Sequence, residues 1–157
     1  MPLWRIFSHP NTFSPTQRQG LAKAVTALYV SRGLPAFYVN VIFIDLPDAN
    51  GANPSCFVGG EAQPNFVRIV VEQIARTMAS SETEEGKERR RKWMDMINET
   101  VKPYVIDRPE IDWELHIYET PRDLWRIQGL DPPPSFSEAE KEWVDKNKPL
   151  PYEVEKS

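Results

Sequence analysis

The chain has one cysteine, Cys56, and two histidines, His9 and His116, in 157 residues. A single thiol excludes an intrachain disulfide, and without CxxC or HExxH spacing no dedicated metal site is expected. Cys56 has no His or Asp beside it in sequence and reads as an ordinary small residue rather than a nucleophile. No apolar run is long enough for a membrane span or a secretory signal, which points to a soluble, cytoplasmic protein with no membrane partner. Excess positive charge is also missing: Lys and Arg number 19 against 23 Asp and Glu, for a net charge of −4 and a pI near 5.3. That balance argues against a general nucleic-acid-binding surface.

What the chain does have is apolar mass and a proline in an unusual place. At 40% hydrophobic with five tryptophans it can bury the core of one compact domain. Pro2 stands directly behind Met1 and opens the stretch Leu3, Trp4, Arg5, Ile6, Phe7. If Met1 is removed, the proline nitrogen becomes a secondary amine rather than an amide, held at the start of a strand. An α-amino group ordinarily titrates near pH ~8, and partial burial disfavours its charged form, so an apolar pocket moves it toward neutrality. Such an amine can act as a general base. With Met1 in place the same nitrogen is a tertiary amide with no basic lone pair.

The elements alternate regularly. Leu3 to Ser8 reads as a strand, and Ser14-Pro15-Thr16-Gln17 supplies an N-cap, a proline at the first helical position and a capping-box Gln. Leu21, Val25 and Leu28 continue at helical spacing until Gly33 and Pro35 stop the helix. Tyr38 to Leu46 reads as a buried strand, and Pro47 to Pro64, with Phe57-Val58-Gly59-Gly60, as an ordered loop holding at most one short strand. A second round follows: strand Phe66 to Val71, a helix capped within Ser81-Glu82-Thr83-Glu84 and running to about Val101, and strand Asp112 to Glu119, where Trp113, Leu115 and Ile117 alternate with Glu114, His116 and Tyr118. Asp131-Pro132-Pro133-Pro134 then interrupts regular structure, Ser137-Glu138-Ala139-Glu140 caps a last short helix around Trp143, and the chain from Lys146 reads as a tail.

The expected fold class is α/β (α+β): two consecutive βαβ units forming a four-stranded mixed sheet with both helices on one face. Residues 1–134 make the domain, as units of about 2–64 and 65–134, and 135–157 an arm or tail. The uncovered sheet face carries apolar and aromatic side chains, which favours an oligomer that packs sheets together.

The amino-terminal Met-Pro, the doubled βαβ order, Ala22-Lys23-Ala24-Val25-Thr26, Phe57-Val58-Gly59-Gly60 and the aromatic strand ending Glu119-Thr120-Pro121 together resemble the tautomerase superfamily over roughly Pro2 to Pro134. Within it the chain looks most like the cis-3-chloroacrylic acid dehalogenase group. That resemblance implies a homotrimer, a cofactor-independent pocket at a subunit boundary with the Pro2 amine at its floor, and cations gripping the carboxylate of a small substrate. Arg76 matches one of the group's two arginines. Glu72 falls where the other stands, so either Arg68 on the strand takes over or the substrate is gripped differently. Tyr29 takes the place of the group's helix His, His116 that of its strand Tyr, and Ile127 that of its water-activating Glu.

The last difference directs the expected chemistry. Adding water to a haloacrylate needs a general base for the water, and an isoleucine supplies none; Glu119, Asp123 and Gln128 are the nearby polar side chains. Keto–enol tautomerisation needs only an acid/base and a charge-stabilising donor. The reading is therefore a tautomerase or isomerase of small 2-oxo or enol acids, with Pro2, Tyr29 and His116 catalytic and Arg76 and Arg68 binding substrate. The alternatives are a lyase, hydratase or cis-3-haloacrylate dehalogenase-like enzyme, or a non-catalytic trimeric binding protein of the same fold.

Overall fold

The computed structural model describes residues 1–47 and 53–153. In chain order it forms β1 (Leu3–Ser8), α1 (Pro15–Val30), a 3-10 turn at Ala36–Tyr38, β2 (Asn40–Asp45), the short hairpin β3 (Phe57–Val58) and β4 (Glu61–Ala62), β5 (Phe66–Gln73), α2 (Glu84–Val101), β6 (Asp112–Glu119) and α3 (Glu138–Lys146). The main sheet has the order β2-β1-β5-β6. β1 pairs parallel with β2 and β5 parallel with β6, each across its own helix, and the two units meet antiparallel at β1 and β5. This is the doubled βαβ architecture expected from the sequence, a mixed four-stranded sheet of the α+β class.

Alternation decides which face is covered. On β1, Trp4, Ile6 and Ser8 are buried, and on β5, Val67, Ile69, Val71 and Gln73. The apolar ones, Trp4, Ile6, Val67, Ile69 and Val71, pack with Leu21, Val25 and Leu28 of α1 and Ile97 and Val101 of α2 in one core. The opposite face presents Arg5, Ile42, Arg68, Glu72, Glu114, His116 and Tyr118, with Arg5 ion-paired to Glu72 and Arg68 to Glu114. Each fully buried aliphatic or aromatic side chain is worth ~1.5–3 kcal/mol, whereas half-exposed ion pairs are worth ~0–1 kcal/mol, so the helix side holds the sheet together.

Local chemistry explains most element ends. The Ser14 hydroxyl accepts from Gln17 N at 3.2 Å while Gln17 Oε1 accepts from Ser14 N at 2.8 Å, the reciprocal capping box. α1 ends before Gly33, whose φ of +78° suits glycine. Within the Ser81 to Glu84 run it is Thr83 that caps α2, its hydroxyl accepting from Gly86 N at 3.1 Å. Gly86 is close-packed, since a Cβ there would stand 1.9 Å from Ser80 O. Alanine normally improves a helix by ~1 kcal/mol over glycine, but backbone must move to admit it here. Gly86→Ala is therefore expected to destabilise the protein by about 1–3 kcal/mol, read as a lower urea midpoint with unchanged slope.

Three sequence readings shift. The strand expected from Tyr38 starts at Asn40, because Tyr38 curls into the 3-10 turn and its ring packs on Trp125 at 4.9 Å and Trp143 at 6.2 Å. The strand expected to end at Val71 continues to Gln73. The loop from Pro47 to Pro64 contains the β3–β4 hairpin, while its residues 48–52 lie outside the described residues, as do 154–157 of the expected tail. α3 is present as expected, with Trp143 fully buried in the common core and its indole donating to Leu150 O at 2.9 Å. No helix among the described residues is long and apolar enough to cross a membrane.

Candidate active site

Pro2 is buried at the start of β1, and its carbonyl accepts from Asn40 N at 3.0 Å, which fixes the residue against β2. β1 pairs Leu3 with Glu72, so one further step of the register sets Pro2 across from Gln73. Gln73 is the end of a buried relay: Trp4 Nε1 donates to the Tyr29 hydroxyl at 3.2 Å, and that hydroxyl donates to Gln73 Oε1 at 3.1 Å. Tyr29 reaches this position because it follows Leu21, Val25 and Leu28 down the buried stripe of α1, where its ring meets Trp93 edge-on at 5.5 Å. Burial pushes its phenol up to about 12, opposed by the Trp4 hydrogen bond, so Tyr29 is a neutral donor.

Above this end of the sheet lies a cavity of about 550 Å³, lined by Met1, Phe37, Asn40, Ile127 and the cations Arg126 and Lys148 among others. Met1 stands in its wall, its sulfur accepting from Asn40 Nδ2 at 3.3 Å. With Met1 present the terminal amine is pushed down from about 8 to about 4, chiefly by burial and further by the positive charge of Arg122. Ile127, 7% exposed, is held by a two-way backbone bridge with Leu130 and gives the cavity an aliphatic wall. Of the polar side chains near it in sequence, Glu119 is occupied, accepting from Met78 N at 2.8 Å.

Two arginines reach this end of the sheet, from the segments after β5 and β6. Arg76 forms a two-pronged pair with Glu140, Nη1 to Oε1 and Nη2 to Oε2 both at 2.8 Å, at 17% and 3% side-chain exposure. Its guanidinium also lies over the Phe136 ring at 4.4 Å. Arg122, half-buried in the turn after β6, donates to the carbonyls of Ala75, at 2.6 Å, and Pro133, and lies 5.4 Å from the Trp125 ring. It has no carboxylate partner among the described residues. Tyr38 also packs on Trp125, at 4.9 Å between ring centroids; it is fully buried, with a hydroxyl that makes no hydrogen bond. Burial and the Glu140 charge raise its pKa, while Arg122 and Arg76 oppose them, so this hydroxyl too keeps its proton.

Arg68 and His116 lie elsewhere, on the uncovered sheet face. Arg68 Nη2 is 3.5 Å from His116 Nδ1, and both line a groove of about 500 Å³ with Arg5, Cys56, Phe57 and Tyr118. His116 stacks edge-on with Tyr118 at 4.8 Å, and its Nε2 is buried without a partner. Within one chain, then, Pro2, Tyr29 and Arg76 gather at one end of the sheet, while Arg68 and His116 pair on its open face. Sequence reasoning passed over Gln73, Tyr38 and Arg122; only the register of β5 and the return of the chain after β6 bring them to Pro2. Among the described residues no group of three His, Cys, Asp or Glu side chains is placed to hold a metal.

Comparison with solved structures places the chain among close relatives. It is 43% identical to native RhCC from Rhodococcus jostii RHA1, covering 96% of this chain and 99% of that one with a TM-score of 0.84. It is 42% identical to a probable enzyme from the thermophilic fungus Aspergillus fumigatus, covering 97% and 98% with a TM-score of 0.83. N1, a member of the cis-3-chloroacrylic acid dehalogenase family, shares the fold at 21% identity, 95% and 92% coverage and a TM-score of 0.63. No curated protein matches. A family model described as "Putative oxalocrotonate tautomerase enzyme" matches residues 1–148.

Proposed function

The chain belongs to this oxalocrotonate tautomerase-type family, and from that membership we propose that it is a tautomerase using the amine of Pro2 as general acid and base on a small 2-oxo or enol carboxylic acid. The observation that carries the proposal is the setting of Pro2: buried, clamped by Asn40, and separated from a 550 Å³ cavity by Met1. Removal of Met1 turns the Pro2 nitrogen into an amine facing that space. Burial and the Arg122 charge, which depress the Met1 amine, act in the same direction on its successor.

The neutral amine takes the enol O–H proton, the O–H electron pair becomes the carbonyl, and the carbon–carbon π pair accepts a proton at the adjacent carbon from the resulting pyrrolidinium. No water and no co-reactant enters. The aliphatic wall at Ile127 suits this step better than hydration or dehalogenation, for which a carboxylate would have to stand there. Tyr29 acts by holding Gln73 beside the proline. His116 and Arg68 face away from their own Pro2, so a role in catalysis requires a neighbouring copy; a trimer that packs open sheet faces together would supply one and cover Ile42 and Tyr118, 48% and 57% exposed.

The pH dependence of phenylenolpyruvate ketonisation tests the acid/base assignment. The base must be unprotonated, and its pKa is depressed, so the rate is expected to rise through a midpoint below pH ~8 and then level off. A rate indistinguishable from the uncatalysed reaction across the range would refute the assignment for this substrate.

A further inference from the structure

The sequence resemblance assigns the substrate's carboxylate to Arg76, but the structure gives that guanidinium a carboxylate already. Both of its Nη atoms are taken by Glu140, a side chain only 3% exposed, and its face is covered by Phe136. A second anion would have to compete with a buried, two-pronged ion pair. Arg122 is in the contrary state. Its side chain is fixed by two carbonyl acceptors, Ala75 O and Pro133 O, and flattened beside Trp125, yet its charge is not neutralised by any described carboxylate. A half-buried guanidinium held only by neutral acceptors keeps most of its attraction for an anion.

Its neighbours complete a recognition site. Tyr38 packs on the same Trp125 and carries a buried hydroxyl that makes no hydrogen bond. Ile127, two residues beyond Trp125, lines the cavity that Met1 walls off, and Arg126 and Lys148 add positive charge at its rim. Trp125 joins the two polar groups: the Arg122 guanidinium lies 5.4 Å from its ring and the Tyr38 ring 4.9 Å from it.

We infer that Arg122, with the Tyr38 hydroxyl beside it, binds the carboxylate of the substrate and sets it against the Pro2 amine, while Arg76 serves to fasten α3 through Glu140. The inference rests on the acid/base reading of Pro2 for its functional meaning, but the binding event is separable from it. The ligand class is a 2-oxo or enol monocarboxylate: one anionic head for Arg122, one oxygen for Tyr38 to donate to, and an apolar body along Phe37 and Ile127.

The test measures binding and turnover separately, on protein whose Met1 is shown by intact mass to be absent. Calorimetry with phenylpyruvate is run on the parent, Pro2→Ala, Arg122→Gln, Arg122→Lys and Tyr38→Phe, with the methyl ester of phenylpyruvate as the uncharged control. The expected result is binding retained within about 3-fold in Pro2→Ala, weakened about 10- to 100-fold in Arg122→Gln, partly recovered in Arg122→Lys, and weakened about 5- to 10-fold in Tyr38→Phe. The ester should bind weakly to all of them and be insensitive to Arg122. Tyr38→Phe keeps the ring and removes a hydroxyl that bonds to nothing, so its thermal midpoint should not fall, which separates a binding role from a structural one. Should Arg122→Gln fail to fold, Arg122→Lys and Tyr38→Phe decide the matter. A folded Arg122→Gln that binds phenylpyruvate as tightly as the parent overturns the inference, as does a parent that does not bind it. A parent that binds through Arg122 but ketonises no faster than Pro2→Ala leaves the anchor standing and removes the proline chemistry instead.

Discussion

Pro2→Ala is expected to lower the rate of phenylenolpyruvate ketonisation by about 10²- to 10⁴-fold, the range that a positioned general acid/base contributes. The substitution leaves a primary amine, so the loss comes from geometry as well as basicity: the pyrrolidine ring fixes φ and points its lone pair, whereas alanine's amine turns freely. A companion variant with one residue that is not removed ahead of Pro2 goes further, because it converts the nitrogen to an amide and removes the lone pair. Its activity should fall to background while the fold, anchored by Asn40 on the Pro2 carbonyl, is unchanged. Continuous enol-to-ketone absorbance with intact-mass confirmation of both termini makes the measurement. Equal turnover by parent and blocked variant would show that some other group moves the proton.

The largest effect on stability is expected at Glu140. Its carboxylate accepts from both Nη atoms of Arg76 and, at 2.7 Å, from Phe136 N, all with 3% side-chain exposure. Glu140→Ala strands a largely buried guanidinium and an amide together, and removing one partner of a buried pair costs about 3–5 kcal/mol. For a domain of this size that corresponds to a thermal midpoint lower by roughly 6–20 °C. Truncating Glu88, whose ion pairs with Arg91 and Lys92 on α2 are solvated, should leave the thermal midpoint essentially unchanged. Scanning calorimetry of the two variants compares a buried pair with solvated ones. A Glu140→Ala midpoint within about 2 °C of the parent would mean that Arg76 finds water or another acceptor in its place.

The parts of the fold legible in the sequence are those governed by neighbours in the chain. The alternation from Trp113 to Tyr118 defined β6 to the residue, and Ser14 with Gln17 defined the start of α1, because period-two burial and capping are local. Tyr38 was assigned to a strand since its immediate neighbours are apolar and β-branched. What bends it inward is the ring of Trp143, over a hundred positions later. The candidate site divides similarly. Pro2 is legible from its position and Tyr29 from the family resemblance, whereas the engagement of Arg76 depends on Glu140, 64 residues away, and the exposed setting of Arg68 and His116 depends on strand parity across β5 and β6. Charge alone does not distinguish an arginine already neutralised from one still awaiting an anion, and Arg122 drew no attention for that reason.

The antiparallel seam between β1 and β5 relates the two βαβ halves by an approximate half-turn, so each end of the sheet repeats the other in backbone but not in chemistry. One half begins with Pro2, where a nitrogen can be freed. The other begins at Phe66, whose nitrogen is bound in the peptide that joins it to Asn65. With Pro2 acting as proposed, the scaffold carries a mute duplicate of that site: one amine where the sheet has two matching strand starts. On that reading no catalytic demand falls on the residues around Phe66, so the second half is free to serve packing and assembly.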